Sequence, residues 1–303
     1  MVPSFSKAMI LADQYSGMYL NEKNESIKYK VNNLYDLKHK TIIYKLSNCR
    51  LSNNNYFSSV EALTFFDINN IKSINELNIL ENWSKSFDQN NLKIKLGKTS
   101  TNNDIYLDIH ENGNGPHGLV AGMTGSGKSE LLITLLLSLA INFSPKILQM
   151  VILDFKGGGI IQNFKNDNYS LPHLIGALSN LQSSDLRRSL VSFKQELLKR
   201  QTLFNKMSNL YNIPNVNIDI YQRNFNEEDG LPLLASLLIV VDEFAELKKQ
   251  EPDFMSELIS ISRIGRSLGI HLILSTQKPS GIVDDQIWSN CRFKICLKVQ
   301  DKQ

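Results

Sequence analysis

The sequence feature that most constrains the fold is the run Gly122-Met-Thr-Gly-Ser-Gly-Lys128-Ser129, which matches the pattern GxxxxGK[ST]. It follows a short apolar run, Leu119 to Ala121, that predicts a strand, and it precedes a helical pattern from Ser129 to Ala140. In such a unit, glycines let backbone N–H groups turn inward around phosphates, and the helix N-terminus adds the positive end of its dipole. The run therefore predicts a phosphate-binding loop, with a plain glycine-rich turn into a helix as the alternative.

This loop predicts a nucleotide as its ligand. Lys128 would reach the β- and γ-phosphates, and the Ser129 hydroxyl would ligate Mg²⁺. ATP and Mg²⁺ are therefore the predicted cofactors. The residues predicted to bind them are Gly122, Met123, Thr124, Gly125, Ser126, Gly127, Lys128, Ser129 and Glu130.

A pair of acids follows a second apolar run, Leu238-Ile-Val-Val-Asp242-Glu243. Asp242 would hold Mg²⁺ through its water shell, and Glu243 would polarise the attacking water. The alternative is that the two acids only cap the next helix, because carboxylates are favourable at a helix N-terminus. Together with the phosphate loop, the pair predicts nucleotide hydrolysis with Lys128, Asp242 and Glu243 as catalytic residues.

The second half of the chain alternates strand and helix patterns, which predicts a mostly parallel sheet covered by helices. The segment from Asn209 to Leu231 lacks periodicity and predicts a surface insertion. Helical patterns span Ser184 to Met207 and Pro252 to Leu268. The remaining apolar runs, which predict strands buried on both faces, are Ile147 to Leu153, Leu237 to Val241, Ile270 to Ser275 and Phe293 to Val299.

The order of these runs predicts the α/β fold of a RecA-like P-loop NTPase. The strand ending at Asp154 lies, in chain order, between the phosphate loop and the acidic strand. A polar residue at the tip of the strand after the acidic one could sense the γ-phosphate. We predict Gln277 for this role rather than Thr276; the alternative is an ordinary polar residue at a strand end.

Two arginines, Arg263 and Arg266, close the helix before this sensor strand. A cation near a helix C-terminus is ordinary dipole chemistry. In ring ATPases, however, an arginine from the neighbouring subunit stabilises the transferring phosphoryl group. We predict this finger role for Arg266 in preference to Arg263.

The first part of the chain predicts less regular structure, because residues 1–116 contain 19 of the 32 asparagines. Strands are predicted at Glu25 to Val31 and Thr41 to Leu46, and one amphipathic helix at Asn75 to Phe87. Leu92 to Leu96 and Asp104 to Ile109 predict a small two-stranded unit. The predicted domains are a small α+β region at 1–74, a connecting helix and strand unit at 75–112, and the ATPase at 113–303.

Composition excludes several classes of protein. With 42% hydrophobic and 21% charged residues, the chain is neither wholly disordered nor fibrous. The net charge of +3 is too small to indicate a nucleic-acid partner. Cys49, Cys291 and Cys296 form no disulfide or metal-ligand pattern. The longest apolar runs are about half the roughly 20 residues of a membrane span, so we expect no membrane anchor or export signal.

Four segments carry a family resemblance: HGLVAGMTGSGKSE (117–130), LDFKGGG (153–159), VDEFAELK (241–248) and PDFMSELISISRIGRSLGIHLILSTQKPSGIVDDQIWSN (252–290). Together they resemble the FtsK/SpoIIIE family of motor ATPases, and within it the first ATPase module of type VII secretion motors. The resemblance extends over about residues 62–303. It maps Lys128 and Ser129 onto the phosphate-loop pair, Asp242 and Glu243 onto the acidic pair, Gln277 onto the sensor and Arg266 onto the finger.

The resemblance implies a homo-hexameric ring on the cytoplasmic side of the plasma membrane that works with type VII membrane components to export small helical-hairpin proteins. The family continues past the last strand with a further helix, so we expect the ATPase module to be truncated at its C-terminus. The alternative function is double-stranded DNA translocation by the same fold. Glu130 and Gly115-Pro116 resemble the secretion branch.

Overall fold

The computed structural model describes residues 8–11, 16–20, 26–30, 63–99, 102–179, 183–279, 282–283 and 285–298. Contacts divide the chain into two units, Met1–Glu61 and Ala62–Gln303. The finer divisions at residues 74 and 112 remain predictions.

The described part of the first unit is an antiparallel sheet with the order β1-β2-β3. Its strands are β1 (Ala8–Leu11), β2 (Ser16–Leu20) and β3 (Ser26–Lys30). The strand predicted at Glu25 to Val31 is confirmed as β3, whose partner is β2. The strand predicted at Thr41 to Leu46 lies outside the described residues.

The second unit begins with helix α1 (Phe65–Asn69), whose N-terminus is closed by a capping box between Thr64 and Asp67. The single amphipathic helix predicted at Asn75 to Phe87 is wrong. Asn78 adopts a left-handed backbone (φ 47°) and separates a 3₁₀ turn, Ile74–Leu77, from helix α2 (Ile79–Lys85). A second 3₁₀ turn, Ser86–Asp88, follows α2.

Two of the large apolar side chains of this segment face solvent, since Leu80 is 79% exposed and Phe87 is 46% exposed. Trp83 is instead the anchoring residue. Its indole N–H donates to the carbonyl oxygen of Ala140 at 2.8 Å. The Ser86 hydroxyl accepts from the backbone N–H of Ser144 at 3.2 Å. These two bonds fix the segment to the far end of the helix that follows the phosphate loop.

The predicted two-stranded unit is confirmed as the antiparallel pair β4 (Lys93–Lys98) and β5 (Asp104–Asp108). Its buried residues, Leu92, Ile94, Leu107 and Ile109, join one apolar cluster with the helix after the phosphate loop.

A six-stranded parallel sheet with the order β11-β6-β10-β9-β7-β8 forms the centre of the second unit. Its strands are β6 (His117–Ala121), β7 (Leu148–Asp154), β8 (Leu174–Ser179), β9 (Ser236–Asp242), β10 (Ile270–Thr276) and β11 (Phe293–Cys296). All five predicted strands are confirmed, although β11 ends at Cys296 and is an edge strand that is only partly buried. Val299, the predicted end of this strand, lies outside the described residues. The prediction missed β8, an edge strand whose Gly176 and Ala177 have low strand propensity.

The spatial order differs from the chain order in one respect that matters for the site. The strand between the phosphate-loop strand β6 and the acidic strand β9 is β10, although β10 follows both in sequence. The carboxyl ends of β6, β10 and β9 therefore lie side by side at one edge of the sheet.

Helices pack on both faces of this sheet and enclose two apolar clusters. The helices of the second unit after α2 are α3 (Lys128–Asn142), α4 (Ser183–Tyr211), α5 (Ile218–Asn224), α6 (Phe244–Gln250), α7 (Pro252–Gly265) and α8 (Asp285–Asn290). The three predicted helices correspond to α3, α4 and α7. None of the described helices has the length and apolar character needed to cross a membrane.

Most residues of the segment Asn209 to Leu231 are exposed or partly exposed, as expected for a surface insertion, but the segment also has regular structure. It contains α5, whose Ile218 and Tyr221 are buried, and it ends at the fully buried Leu231. The Tyr221 ring stacks on Phe204 of α4 at a centroid distance of 5.0 Å. Two inward residues on one short helix are too few to produce a detectable period.

His117 joins β6 to its surroundings from a buried position. Its Nδ1 accepts from the backbone N–H of Leu272 at 3.1 Å, which leaves Nε2 to donate to the Ser262 carbonyl oxygen, also at 3.1 Å. Burial, assisted by the positive charge of Arg266, lowers the pKa of His117 to about 4. The imidazole is therefore neutral at pH 7.

Gly118 of β6 provides a test of this packing, because a Cβ there would lie 1.9 Å from Cζ of Phe293 on the neighbouring strand β11. We expect Gly118→Ala to displace the ring and to lower the free energy of unfolding by about 1–3 kcal/mol in urea denaturation. Gly97→Ala is the control, since no atom lies within 4 Å of its added methyl. Equal effects of the two substitutions would contradict the described contact between β6 and β11.

Candidate nucleotide-binding site

The predicted phosphate loop lies between β6 and α3, as the motif requires. Gly125 and Gly127 have left-handed backbones (φ 76° and 87°), and Gly127 caps the N-terminus of α3. Such angles are accessible to glycine at little cost. Gly122 is required for space instead, because a Cβ there would lie 2.5 Å from the Ser126 hydroxyl oxygen. The strand, loop and helix predicted from the motif are confirmed.

Neighbouring elements hold the loop in place. The backbone N–H of Gly122 donates to the Thr276 carbonyl at the end of β10, and that of Met123 donates to the Lys298 carbonyl after β11. The Thr124 hydroxyl donates to Oε1 of Gln277 at 2.9 Å. The predicted sensor residue therefore contacts the loop directly.

Lys128, the first residue of α3, lies in a buried polar cluster at the carboxyl edge of the sheet. Its ammonium donates to Oδ1 of Asp242 and, at 2.7 Å, to the Ser275 hydroxyl. Ser275 in turn donates to the same carboxylate oxygen at 2.7 Å. Lys128, Asp242 and Ser275 are 4%, 2% and 0% exposed, so this ion pair is shielded from water.

Glu243 follows β9 in a left-handed backbone conformation (φ 57°), which is uncommon for a residue with a side chain. Its Oε1 accepts from the Thr276 hydroxyl at 3.0 Å and from the backbone N–H of Gln277 at 3.2 Å. Its Oε2 lies 3.9 Å from the Lys128 ammonium. The tip of β10 therefore fixes both acids, Asp242 through Ser275 and Glu243 through Thr276.

Most of the predicted site residues lie together at this edge: Gly122 to Glu130 in and after the loop, with Lys128, Asp242, Glu243 and Gln277 around it. Ser129 is partly buried and Glu130 is exposed. The prediction missed Ser275, which binds both Lys128 and Asp242. A hydroxyl at the end of the apolar run Ile270 to Leu274 could have drawn attention to it.

Arg266 is the predicted site residue that does not join this group. It lies at the C-terminus of α7, before β10 begins. Because β10 is seven residues long, roughly 20 Å of strand separates Arg266 from the loop. Arg263 is exposed at the end of the same helix. Neither arginine can reach the phosphate loop of its own chain.

The turn after β7, in the LDFKGGG segment, is explained by its glycines. Gly157 and Gly158 have φ of 103° and 83°. Asp154 closes the turn, because its carboxylate accepts from the backbone N–H groups of Lys156 and Ile160 at 2.8 and 3.1 Å. Both carboxylate oxygens of Asp154 therefore stabilise the turn.

The loop suits an anionic ligand. The N-terminus of the 15-residue helix α3 adds the positive end of its dipole to the Lys128 ammonium. Among the described side chains, the buried Ser126 hydroxyl has no hydrogen-bond partner. A phosphate group in the loop would accept hydrogen bonds from the Lys128 ammonium and from the Ser126 hydroxyl. The residues present therefore fit a nucleotide phosphate.

Comparison with known proteins agrees with this geometry. The model of the FtsK/SpoIIIE family matches residues 77–281. The chain is 46% identical over 243 residues to the type VII secretion system protein EssC of Staphylococcus aureus (strain NCTC 8325 / PS 47). It is 46% identical over 245 residues to the ESX secretion system protein EccC of Geobacillus thermodenitrificans. Each match covers 80% of this chain and 16% of the relative, so the chain spans about a sixth of these proteins.

Among solved structures, the cytoplasmic domain of the type VII secretion ATPase EccC from Thermomonospora curvata is similar. The TM-score is 0.61 at 31% identity, over 78% of this chain and 27% of that one. The predicted α/β fold with a RecA-like P-loop module is confirmed by this similarity and by the parallel sheet.

The buried ion pair gives a test that needs no ligand. We expect Lys128→Met to lower the free energy of unfolding by about 3–5 kcal/mol, because it leaves the Asp242 carboxylate buried without its counter-ion. Adding Asp242→Asn should recover part of this loss, since it removes the uncompensated charge. Urea denaturation of the two single variants and the double variant forms the cycle. Additive losses would show that the two side chains are not coupled.

Proposed function

Because the chain belongs to the FtsK/SpoIIIE family, we propose that it is the ATP-binding and ATP-hydrolysing motor module of a type VII protein secretion system. The observation that carries the proposal is the convergence of Lys128, Asp242 and Glu243 beside the phosphate loop. The relatives are named for type VII and ESX secretion, which supports protein rather than DNA as the cargo. They do not favour the alternative function of DNA translocation.

In the proposed reaction, Lys128 exchanges its partners. Its ammonium leaves Asp242 and Ser275 and binds the β- and γ-phosphates of ATP, while backbone N–H groups of residues 122–129 surround the phosphate chain. Asp242 and the Ser129 hydroxyl are the groups that would hold Mg²⁺, which when bound neutralises phosphate charge. Mg²⁺ takes one or two protein ligands at such sites, which fits this pair.

Glu243 is the proposed general base. Its carboxylate would orient and polarise the attacking water, and the bonds from Thr276 and Gln277 fix its position. Gln277, which already contacts Thr124 of the loop, would report the γ-phosphate to β10. Glu130 follows Ser129 at the start of the helix.

Arg266 lies near the amino ends of the strands, opposite the phosphate loop of its own chain. In the proposed homo-hexameric ring, it would complete the site of a neighbouring subunit. The ring would work at the cytoplasmic side of the plasma membrane with type VII membrane components. Its cargo would be small helical-hairpin proteins.

Nucleotide binding and turnover should separate between two variants. Lys128→Ala should abolish ATP binding in calorimetry, because the variant loses the cation that meets the phosphate charge. Glu243→Gln should bind ATP with unchanged affinity and lose at least about a hundredfold in turnover. Lys146→Ala, an exposed lysine just beyond α3, is the matched control. Equal ATP affinity of wild type and Lys128→Ala would show that the assigned site is wrong.

Ring assembly should determine activity. We expect the isolated 303-residue chain to hydrolyse ATP at a near-background rate and to gain activity when fused to a hexameric scaffold. Mixed rings of Arg266→Ala and Glu243→Gln subunits should recover about a quarter of wild-type activity, since random pairing places an intact finger against an intact site in that fraction of interfaces. The turnover of each unmixed ring is the control. Mixed rings as inactive as the unmixed ones would refute the shared site.

A further inference from the structure

Arg266 does not extend freely from its helix. Its Nε donates to Oε1 of Glu111 at 2.6 Å, and the two residues are 155 positions apart in sequence. The side chains are 48% and 32% exposed, so the ion pair lies at the surface. Exposed ion pairs of this kind contribute little to the free energy of unfolding. Stabilisation of the fold is therefore a weak explanation for the contact between Arg266 and Glu111.

Glu111 is itself mounted on a fixed loop between β5 and β6. The Arg292 guanidinium donates to the Glu111 carbonyl oxygen at 2.8 Å. The preceding residue, His110, is buried, and its Nε2 lies 2.8 Å from Oδ1 of Asp219 on α5. The backbone N–H of Asn112 donates to the other ring nitrogen of His110 at 3.2 Å. These contacts hold the backbone on both sides of the Glu111 side chain.

Glu111 binds only one side of the Arg266 guanidinium. It accepts from Nε, and within the described part of the chain the two terminal nitrogens of Arg266 have no hydrogen-bond partner. Those two nitrogens form the end of the guanidinium fork, which is the part suited to two oxygens of one phosphate. Glu111 therefore restrains the base of the fork and leaves its tip available.

We propose that Glu111 is a positioning residue for Arg266: it holds the guanidinium so that the two terminal nitrogens face the γ-phosphate bound by the next subunit. The inference rests on the proposed function, because it assumes a finger that acts across the ring. A flexible arginine must be ordered in each catalytic cycle, whereas a restrained one pays this entropy during folding. Glu111 would thereby increase turnover without contacting the nucleotide.

The test uses hexamers enforced by a scaffold and two kinds of subunit. Site subunits carry Arg266→Ala and keep Glu243; finger subunits carry Glu243→Gln and keep Arg266. In the mixed ring, activity arises only where a finger subunit faces a site subunit. Glu111→Ala is then introduced into either kind of subunit separately. Glu81→Ala is the matched control, because Glu81 forms an exposed ion pair of the same 2.6 Å length with Lys85.

We expect Glu111→Ala in finger subunits to lower turnover about ten- to a hundredfold, with the affinity for ATP unchanged. In site subunits it should have no effect, since Arg266 is already absent there. Glu111→Gln in finger subunits should lose less than Glu111→Ala, because its amide oxygen can still accept from Nε. Glu81→Ala should change neither kind of ring.

Equal losses in both kinds of subunit would overturn the proposal by assigning Glu111 a structural role. Unchanged turnover, or faster turnover, in the finger-subunit variant would also overturn it, since the ion pair would then be idle or would hold the finger back. An inactive parental mixture, with active wild-type hexamers, would instead refute the shared site and remove the basis for a role of Glu111. These outcomes separate failure of the inference from failure of the proposed function.

Discussion

The site depends on one buried charge, the ammonium of Lys128. A lysine that is 4% exposed needs compensation, and Asp242 and Ser275 provide it from two different strands. The pair links the start of α3 to the carboxyl ends of β9 and β10. It also keeps the side chains that would serve a nucleotide within bonding distance of one another. In the proposed reaction, a phosphate that draws Lys128 away would release Asp242 at the same moment, so ligand binding and release of the acid would be a single exchange.

The contacts around Lys128 and the two acids depend on the position of β10 between β6 and β9. If β9 were the direct neighbour of β6, no strand tip would lie between loop and acids. With β10 inserted, three consecutive residues at its end divide the work: Ser275 contacts Asp242, Thr276 contacts Glu243 and Gln277 contacts Thr124. A shift of β10 would therefore change the positions of the phosphate loop and of both carboxylates.

Sequence reasoning succeeded where the patterns are locally complete. The loop, the acidic pair and the buried strands follow from motif and apolar runs, because each is specified within a few residues. It failed where tertiary contacts decide. Edge strand β8 lacks a strong apolar run, Tyr221 is buried by Phe204 and the apolar cluster around it, and Asn78 breaks a helix that the spacing alone favoured. Ser275 and Glu111 escaped notice because their partners are 33 to 155 residues distant.

The helix behind the phosphate loop is held at both ends. Its N-terminal approach is fixed by the bonds of Gly122 and Met123 to strand ends, and its C-terminal end by Trp83 and Ser86. The helix has 15 residues and is about 22 Å long, so these contacts fix its position at both ends of that length. The backbone of the loop that a phosphate would contact is therefore ordered during folding, and binding free energy is not needed to order it.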